Sequence, residues 1–326
     1  MIIAKNFSRI YEKQHSATVP YYMNKKISLI VIIGPTASGK SEFAIHLAKK
    51  FNGEIISADS RQCYRNLTIG TAKVNGKWKK GFFLYKGIPH FCIDSVSPKR
   101  MYTAAIFKKD AQSAIKAITA RRHVPIIAGG TAFWINALVY DIDFPHVSPN
   151  QALRKKLEKK SCAQLLACLK KMDPRRAAYI EQKNPRRLIR AIEIAKTFGS
   201  VPPMTAHNPY CALWIGISRT DSMLRRSIAA RSKQMVKQGL IEETKKLLAA
   251  GIAKKRIHEF GFEYIAALDV IEKKRAAGQL VETLTQKTVS YAKRQMRWFS
   301  HNSDIQWVSS LTQAEQFVRM FLRAPI

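Results

Sequence analysis

Ile27-Ser-Leu-Ile-Val-Ile-Ile33 runs straight into Gly34-Pro35-Thr36-Ala37-Ser38-Gly39-Lys40-Ser41, and this junction decides the fold. A strand with one wet face alternates apolar and polar residues. Residues 27–33 do not alternate and are rich in β-branched side chains, so they predict a strand buried on both faces, hence a parallel sheet. The next eight residues fit G-x-x-x-x-G-K-[ST], between that strand and a helix predicted from Lys40 to about Phe51, which is the context a phosphate-binding loop requires. Backbone N–H groups of the loop and of the helix N-terminus point at a phosphate. Lys40 adds a point charge, and the Ser41 hydroxyl is placed to reach a Mg²⁺ ion.

Reading outward, Glu54–Ala58 is a second buried strand, Tyr102–Ala120 a helix and Val124–Ala128 a third buried strand. Strands alternating with helices predict an α/β fold: a P-loop parallel-sheet core with helices on both faces. Between them, Lys73–Pro89 is a lysine- and aromatic-rich connection. The texture changes after Tyr140. A proline-bounded linker, Asp143–Pro149, leads into a helical stretch from Asn150 to about Thr197, broken at Asp173-Pro174 and Asn184-Pro185, each of which reads as a helix start. Leu213–Ile217 returns to strand texture, and the chain from Asp221 on is mostly helical. The expected organisation is a basic, disordered leader over residues 1–26, core over 27–140, an inserted all-helical domain over 141–212, and core with C-terminal helices over 213–326. Residues 1–22 lack the apolar run of a secretory signal; an organelle-targeting segment, or a start at Met23, are the other readings of that stretch.

Lys and Arg number 56 against 22 Asp and Glu, a formal charge of +34 on 326 residues. Every part of the chain shares the excess, so the folded surface itself is positive. That balance suggests a polyanionic partner: nucleic acid, an anionic membrane surface or a phosphorylated substrate. A lineage with Lys-rich proteins throughout would give the same composition. No apolar run approaches a membrane span. The five cysteines include no C-x-x-C pair, which argues against a zinc site or disulfide framework and fits a reducing compartment.

Nucleotide hydrolases of this type hold Mg²⁺ with an Asp at the end of a neighbouring strand. Here that strand ends in Gly129-Gly130-Thr131, with no acid. The loop therefore certifies a phosphate site without specifying a triphosphate. An acid appears instead at Asp59, just past the second strand, on the sheet edge where α/β proteins bind ligands. It could take a proton from an incoming nucleophile, or Asp59 or Ser60 could cap a helix before Tyr64-Arg65.

Gly34–Ser41, Asp59-Ser60-Arg61-Gln62, Ile69-Gly-Thr-Ala-Lys73, Pro89-His90…Ile93-Asp94, Gly129-Gly130-Thr131, Asn184-Pro-Arg186-Arg187…Arg190-Ala191 and Tyr291-Ala-Lys-Arg-Gln295…Trp298-Phe299 follow one another in an order that resembles the tRNA dimethylallyltransferase (tRNA isopentenyltransferase) family over nearly the whole chain. The resemblance implies transfer of the dimethylallyl group of dimethylallyl diphosphate to N6 of the adenosine at position 37 of tRNA, beside the anticodon, with Mg²⁺ assisting. It also implies a cytoplasmic monomer whose partner is a tRNA anticodon stem-loop. The loop Gly34–Ser41 would hold the donor's diphosphate, with Lys40, Thr131, Ser41-bound Mg²⁺ and Arg231 neutralising its leaving-group charge, and Asp59 taking the proton of the amine. Asp59, Ser60, Arg61, Gln62, Thr131, Arg154, Arg186, Arg187, Leu188, Ile189, Arg190, His258, Gly261 and Phe262 match the family's tRNA-contacting positions.

Two stretches depart from the pattern. The Thr71–His90 segment is longer, and its Lys77-Trp-Lys-Lys80…Phe82-Phe83 suits single-stranded RNA or a local hairpin with its own apolar cluster. Glu259-Phe-Gly-Phe262-Glu263 stands where the family often has a Tyr and a basic residue. The rival readings are an isopentenyltransferase acting on free adenine nucleotides, a small-molecule P-loop kinase, and an RNA-binding protein with a vestigial P-loop.

Overall fold

A computed structural model describes residues 26–324. In chain order the strands and α-helices are β1 (Ile27–Ile33), α1 (Lys40–Lys50), β2 (Gly53–Ala58), β3 (Lys77–Lys79), β4 (Phe82–Tyr85), β5 (Ile88–Phe91), α2 (Ala104–Ala120), β6 (Val124–Gly129), α3 (Ala132–Val139), α4 (Gln151–Leu157), α5 (Cys162–Met172), α6 (Pro174–Tyr179), α7 (Pro185–Phe198), β7 (Tyr210–Ile217), α8 (Asp221–Lys237), α9 (Leu240–Ala249), α10 (Lys254–Ile257), α11 (Phe262–Ile271), α12 (Leu280–Phe299), β8 (Gln306–Val308) and α13 (Leu311–Arg323).

One eight-stranded sheet carries the core, in the order β3-β4-β5-β2-β6-β1-β7-β8. From β5 to β8 every pairing is parallel, and β3–β4–β5 is an antiparallel edge. β1 is central, as its unbroken apolar run predicts. Leu29, Val31 and Ile33 point to one face, against the helices α2, α3, α9, α11 and α12, while Ile30 and Ile32 point to the other, against α1 and α13. Residues 29–33 are all fully buried, each contributing about 1.5–3 kcal/mol by leaving water. Helices thus cover both faces.

The described chain divides into two compact units: Ile142–His207, and a larger one formed by the stretches either side of it. The smaller unit is all helical and has its own core around Leu165, Leu169, Leu188 and Ile192. Its helix starts are those the sequence announces: Asp173 and Asn184 accept the N–H of the third residue on, with Pro174 and Pro185 at the first helical position.

Several expectations shift. Lys73–Pro89 is not an open connection; it holds the β3–β4 hairpin and leads into β5, registered Lys77 to Leu84 and Phe83 to His90. β7 begins at Tyr210 rather than Leu213, because Ile27 pairs with Tyr210. The short β8, unmarked in a segment read as helical, is held by pairing to β7. No helix follows Asp59: the segment is a turn in which Asp59 Oδ1 accepts from the N–H groups of Arg61 (2.9 Å) and Gln62 (3.2 Å), so the helix-cap reading is set aside. The leader expected over residues 1–26 lies, apart from Lys26, outside the described residues. No helix among the described residues is long and apolar enough to cross a membrane.

Candidate active site

β1 delivers the chain to the loop at the C-terminal edge of the sheet, and Gly39 (φ +92°) turns it into α1. A left-handed residue is needed there, which glycine supplies without a steric penalty. No side chain caps α1, so its first N–H groups remain for a ligand. The Ser38 hydroxyl is buried with no hydrogen-bond partner, and Lys40 Nζ folds back to donate to the Pro35 carbonyl at 2.7 Å.

Beside the loop lies a cavity of about 360 Å³. Lys40 and Ser41 from α1, Asp59 from the turn after β2, Gly129 and Gly130 from the end of β6, and Arg231 from α8 all line it. Residues separated by most of the chain thus converge on one space. Arg231 reaches the loop directly, donating from Nη1 to Thr36 Oγ1 at 3.1 Å. Thr131 is placed differently from a cavity wall: its Oγ1 accepts from the Ser60 N–H at 3.1 Å, tying the end of β6 to the Asp59 turn.

The electrostatics are those of an anion receptor. Burial, with the Arg231 charge adding to it, lowers Lys40 from 10.5 to about 7, against a raising effect of Asp59. Burial likewise lowers Arg231. Two cations crowd one desolvated space, a conflict that a polyanion relieves.

Gln295 of α12, the end of the Tyr291-Ala-Lys-Arg-Gln295 stretch, also lines the cavity. Its Oε1 accepts from the Thr36 N–H at 2.8 Å and its Nε2 donates to the Gly130 carbonyl at 2.9 Å. One buried amide therefore clamps the phosphate loop to the end of β6. Nothing in local sequence marks this, since the residues lie far apart in the chain.

Arg61 is held from three sides. Nη1 donates to Glu263 at 2.6 Å, and the guanidinium lies 5.5 and 5.6 Å from the ring centroids of Phe262 and Tyr291. Burial pushes the Glu263 carboxyl up, against the lowering effect of Arg61. Gly261 (φ +120°) holds a backbone conformation that L side chains rarely adopt, and a Cβ there would come within 2.3 Å of the Arg61 guanidinium and force it to shift. Glu263, flagged in the sequence only as a departure, thus anchors the turn that carries Asp59. Gln62 donates to the Thr71 carbonyl at 3.1 Å, and His258 is exposed at the end of α10.

The smaller unit carries the other expected RNA contacts. Arg186 and Arg187 are exposed on the first turn of α7, Arg187 pairing with Glu181. Arg154 grips the buried Glu193 through two 2.7 Å bonds, and Arg190 joins at 3.3 Å. Leu188 and Ile189, also expected as contacts, are corrected here: they are 0% and 7% exposed and form the packing face of α7. Neither side chain is available to a ligand.

For a metal, the donor set is a hard one but sparse. No cluster of three or more His, Cys, Asp or Glu that could hold an ion occurs among the described residues. Ser41 stands on the cavity wall in the first turn of α1, alongside Asp59. Such a set fits Mg²⁺, which keeps water and phosphate oxygens and takes few ligands from protein.

Comparison with known proteins agrees with this geometry. The family model described as IPP transferase matches residues 62–302, and one described as isopentenyl transferase matches residues 27–79. The chain is 37% identical over 309 residues to the tRNA dimethylallyltransferase of Alkaliphilus oremlandii, covering 91% of this chain and 97% of that one. Among solved structures it is similar to the full-length tRNA isopentenylpyrophosphate transferase of Bacillus halodurans (TM-score 0.67, 32% identity, 91% of this chain and 97% of that one). It is also similar to a eukaryotic dimethylallyltransferase solved acting on tRNA (TM-score 0.69, 25% identity, 90% of this chain and 77% of that one). With its cavity at the strand ends, its loop–helix junction and a match spanning most of its length, the chain belongs to the IPP transferase family.

Proposed function

We propose that this protein transfers the dimethylallyl group of dimethylallyl diphosphate to N6 of the adenosine beside the anticodon of tRNA, at position 37. The observation that carries the reading is the convergence of Lys40, Ser41, Asp59 and Arg231 on one cavity at the sheet edge. The N6 lone pair attacks C1 of the dimethylallyl group as the C1–O bond breaks, and that electron pair leaves on diphosphate. Asp59 accepts the proton that N6 loses. An exocyclic adenine amine is a poor nucleophile, so a carboxylate aligned on its N–H assists the attack. Lys40, the N–H groups at the start of α1 and Arg231 stabilise the charge growing on the leaving oxygens. Thr131 and Gln295 keep the Asp59 turn, β6 and the phosphate loop in register. Ser41 would hold a Mg²⁺ ion, which would supply further neutralisation of the diphosphate charge.

The target base must leave its stack to enter the cavity. Arg61, Gln62, His258, Gly261 and Phe262 in the larger unit, and Arg154, Arg186, Arg187 and Arg190 in the smaller, are the proposed contacts to the anticodon stem-loop. The smaller unit, bounded near residues 141–212, is the proposed tRNA-binding insertion. The setting is the cytoplasm, where tRNA is found and where five unpaired cysteines are stable, and the unit of action is a single chain.

Labelled dimethylallyl diphosphate with Mg²⁺, offered an unmodified anticodon stem-loop or AMP, tests the reading. Label on the RNA is expected. Label on AMP alone would overturn the tRNA assignment, and ATP consumption without prenyl transfer would overturn the whole.

A further inference from the structure

We propose that Trp78 and its flanking lysines on the β3–β4 hairpin form a stacking platform for an unpaired nucleotide of the RNA, next to the one being modified. The inference rests on the tRNA reading above and deepens it. Trp78 is 50% exposed, in a strand whose other two residues, Lys77 and Lys79, are exposed as well. Its rigid ring, half exposed between cations, is the kind of surface on which a base face stacks. Lys80, at the turn, adds a third exposed cation. Among the described residues none of these three lysines pairs with an acid.

The indole is aimed. Its Nε1 donates to Asp94 Oδ2 at 3.2 Å, and its edge meets Phe83 with ring centroids 6.0 Å apart. Asp94 is itself fixed from below, because the buried Lys73 Nζ donates to Asp94 Oδ1 at 2.6 Å and to the Tyr64 carbonyl. Tyr64 closes the turn that begins at Asp59, with its N–H donating to the Arg61 carbonyl. A chain of hydrogen bonds therefore runs from the Asp59 turn through Lys73 and Asp94 to Trp78. A second track runs in parallel through aromatic rings. Trp78 faces Phe83 across one strand pair and Phe83 faces His90 across the next, at 6.0 and 6.3 Å between centroids. His90 lines the active-site cavity. Lys86, in the turn after β4, pairs with Glu42 of α1 at 2.8 Å.

Charge decides the occupant. β3 is an edge strand, and a second copy pairing there would bring lysine against lysine. A polyanion that offers flat bases meets both features at once. Duplex RNA offers phosphates but hides its base faces, so an unpaired loop nucleotide is the ligand that uses the indole.

The test measures binding of a fluorescent anticodon stem-loop to the full chain at several salt concentrations, beside binding of dimethylallyl diphosphate. Trp78→Ala is expected to weaken stem-loop binding about tenfold, leave diphosphate binding unchanged and leave binding of a blunt RNA duplex unchanged. Trp78→Phe, which keeps a ring face, is expected to restore most of the loss. Replacing Lys77, Lys79 and Lys80 with Ala is expected to flatten the slope of log affinity against log salt by up to about 2. Trp78→Ala binding the stem-loop within twofold of the parent, with its thermal unfolding unchanged, would overturn the proposal. So would a chain that sediments as a dimer dissolved by that same substitution. Failure of the parent protein to bind or prenylate the stem-loop would instead overturn the tRNA reading itself.

Discussion

Lys40 offers the sharpest handle on the diphosphate site. In the free protein, burial and the nearby Arg231 hold it at about 7. A bound diphosphate adds negative charge within contact range and returns the ammonium to its usual region or above. The complex then carries more protons than the free protein, so affinity falls as pH rises. With a free-state value of about 7, the protonated fraction drops by roughly 80-fold between pH 7.5 and pH 9.5, and affinity should drop with it. The ligand's own last phosphate ionisation lies near pH 6, outside that window. Calorimetry at pH 8.5 in two buffers of different ionisation heat should report uptake of close to one proton per diphosphate bound. Lys40→Arg keeps a charge that does not titrate and should abolish both the slope and the uptake, and Lys40→Met should abolish them while binding weakly throughout. Affinity that stays level from pH 7.5 to 9.5 in the parent protein, or an unchanged slope in Lys40→Met, would refute the account.

Asp59→Ala should cost about 10²–10⁴ in turnover and far less in diphosphate affinity; equal losses in a single-turnover and binding comparison would mark Asp59 as structural. Gln295→Ala leaves the buried Gly130 carbonyl unpaired and opens the part-buried Thr36 N–H to water, so denaturant unfolding should show a loss of about 1–3 kcal/mol, together with weaker diphosphate binding. Leu188→Ala should destabilise by about 2–5 kcal/mol, as expected for a buried leucine, while Arg186→Ala leaves stability alone and weakens stem-loop binding. Glu193→Ala takes the shared carboxylate from Arg154, Arg190 and the Asn150 N–H and should cost about 1–3 kcal/mol, less than a fully buried pair because both arginine side chains are about a third exposed, measurable by chemical unfolding; a neutral result would show that the two arginines repartner with solvent at no cost.

Local pattern was enough for the elements whose formation depends on neighbours in the chain. The unbroken β-branched run of β1, the glycine-flanked loop and the lysine starting α1 are all short-range features, and they were legible as a P-loop. The Asp-Pro and Asn-Pro helix starts of the insertion were legible for the same reason, since a cap bonds only three residues away. The positive charge is also a property of the sequence alone. It points to a polyanion, and the salt slope of binding divides the working cations from the background.

What tertiary structure decided is which distant groups share a space. Leu188 and Ile189 lie between arginines in sequence, yet α7 turns them into its core while Arg186 and Arg187 stay in water, because helical periodicity alone separates the faces and only packing says which face is covered. Gln295 closes on Thr36 from 259 residues away, and Arg231 closes on the same residue from 195. The low value of Lys40 comes from its burial in the fold and from the Arg231 charge set beside it. No spacing rule encodes such contacts: they follow from burying both faces of the sheet, which draws Arg231 of α8 and Gln295 of α12 to the phosphate loop and makes that loop one wall of an anion site.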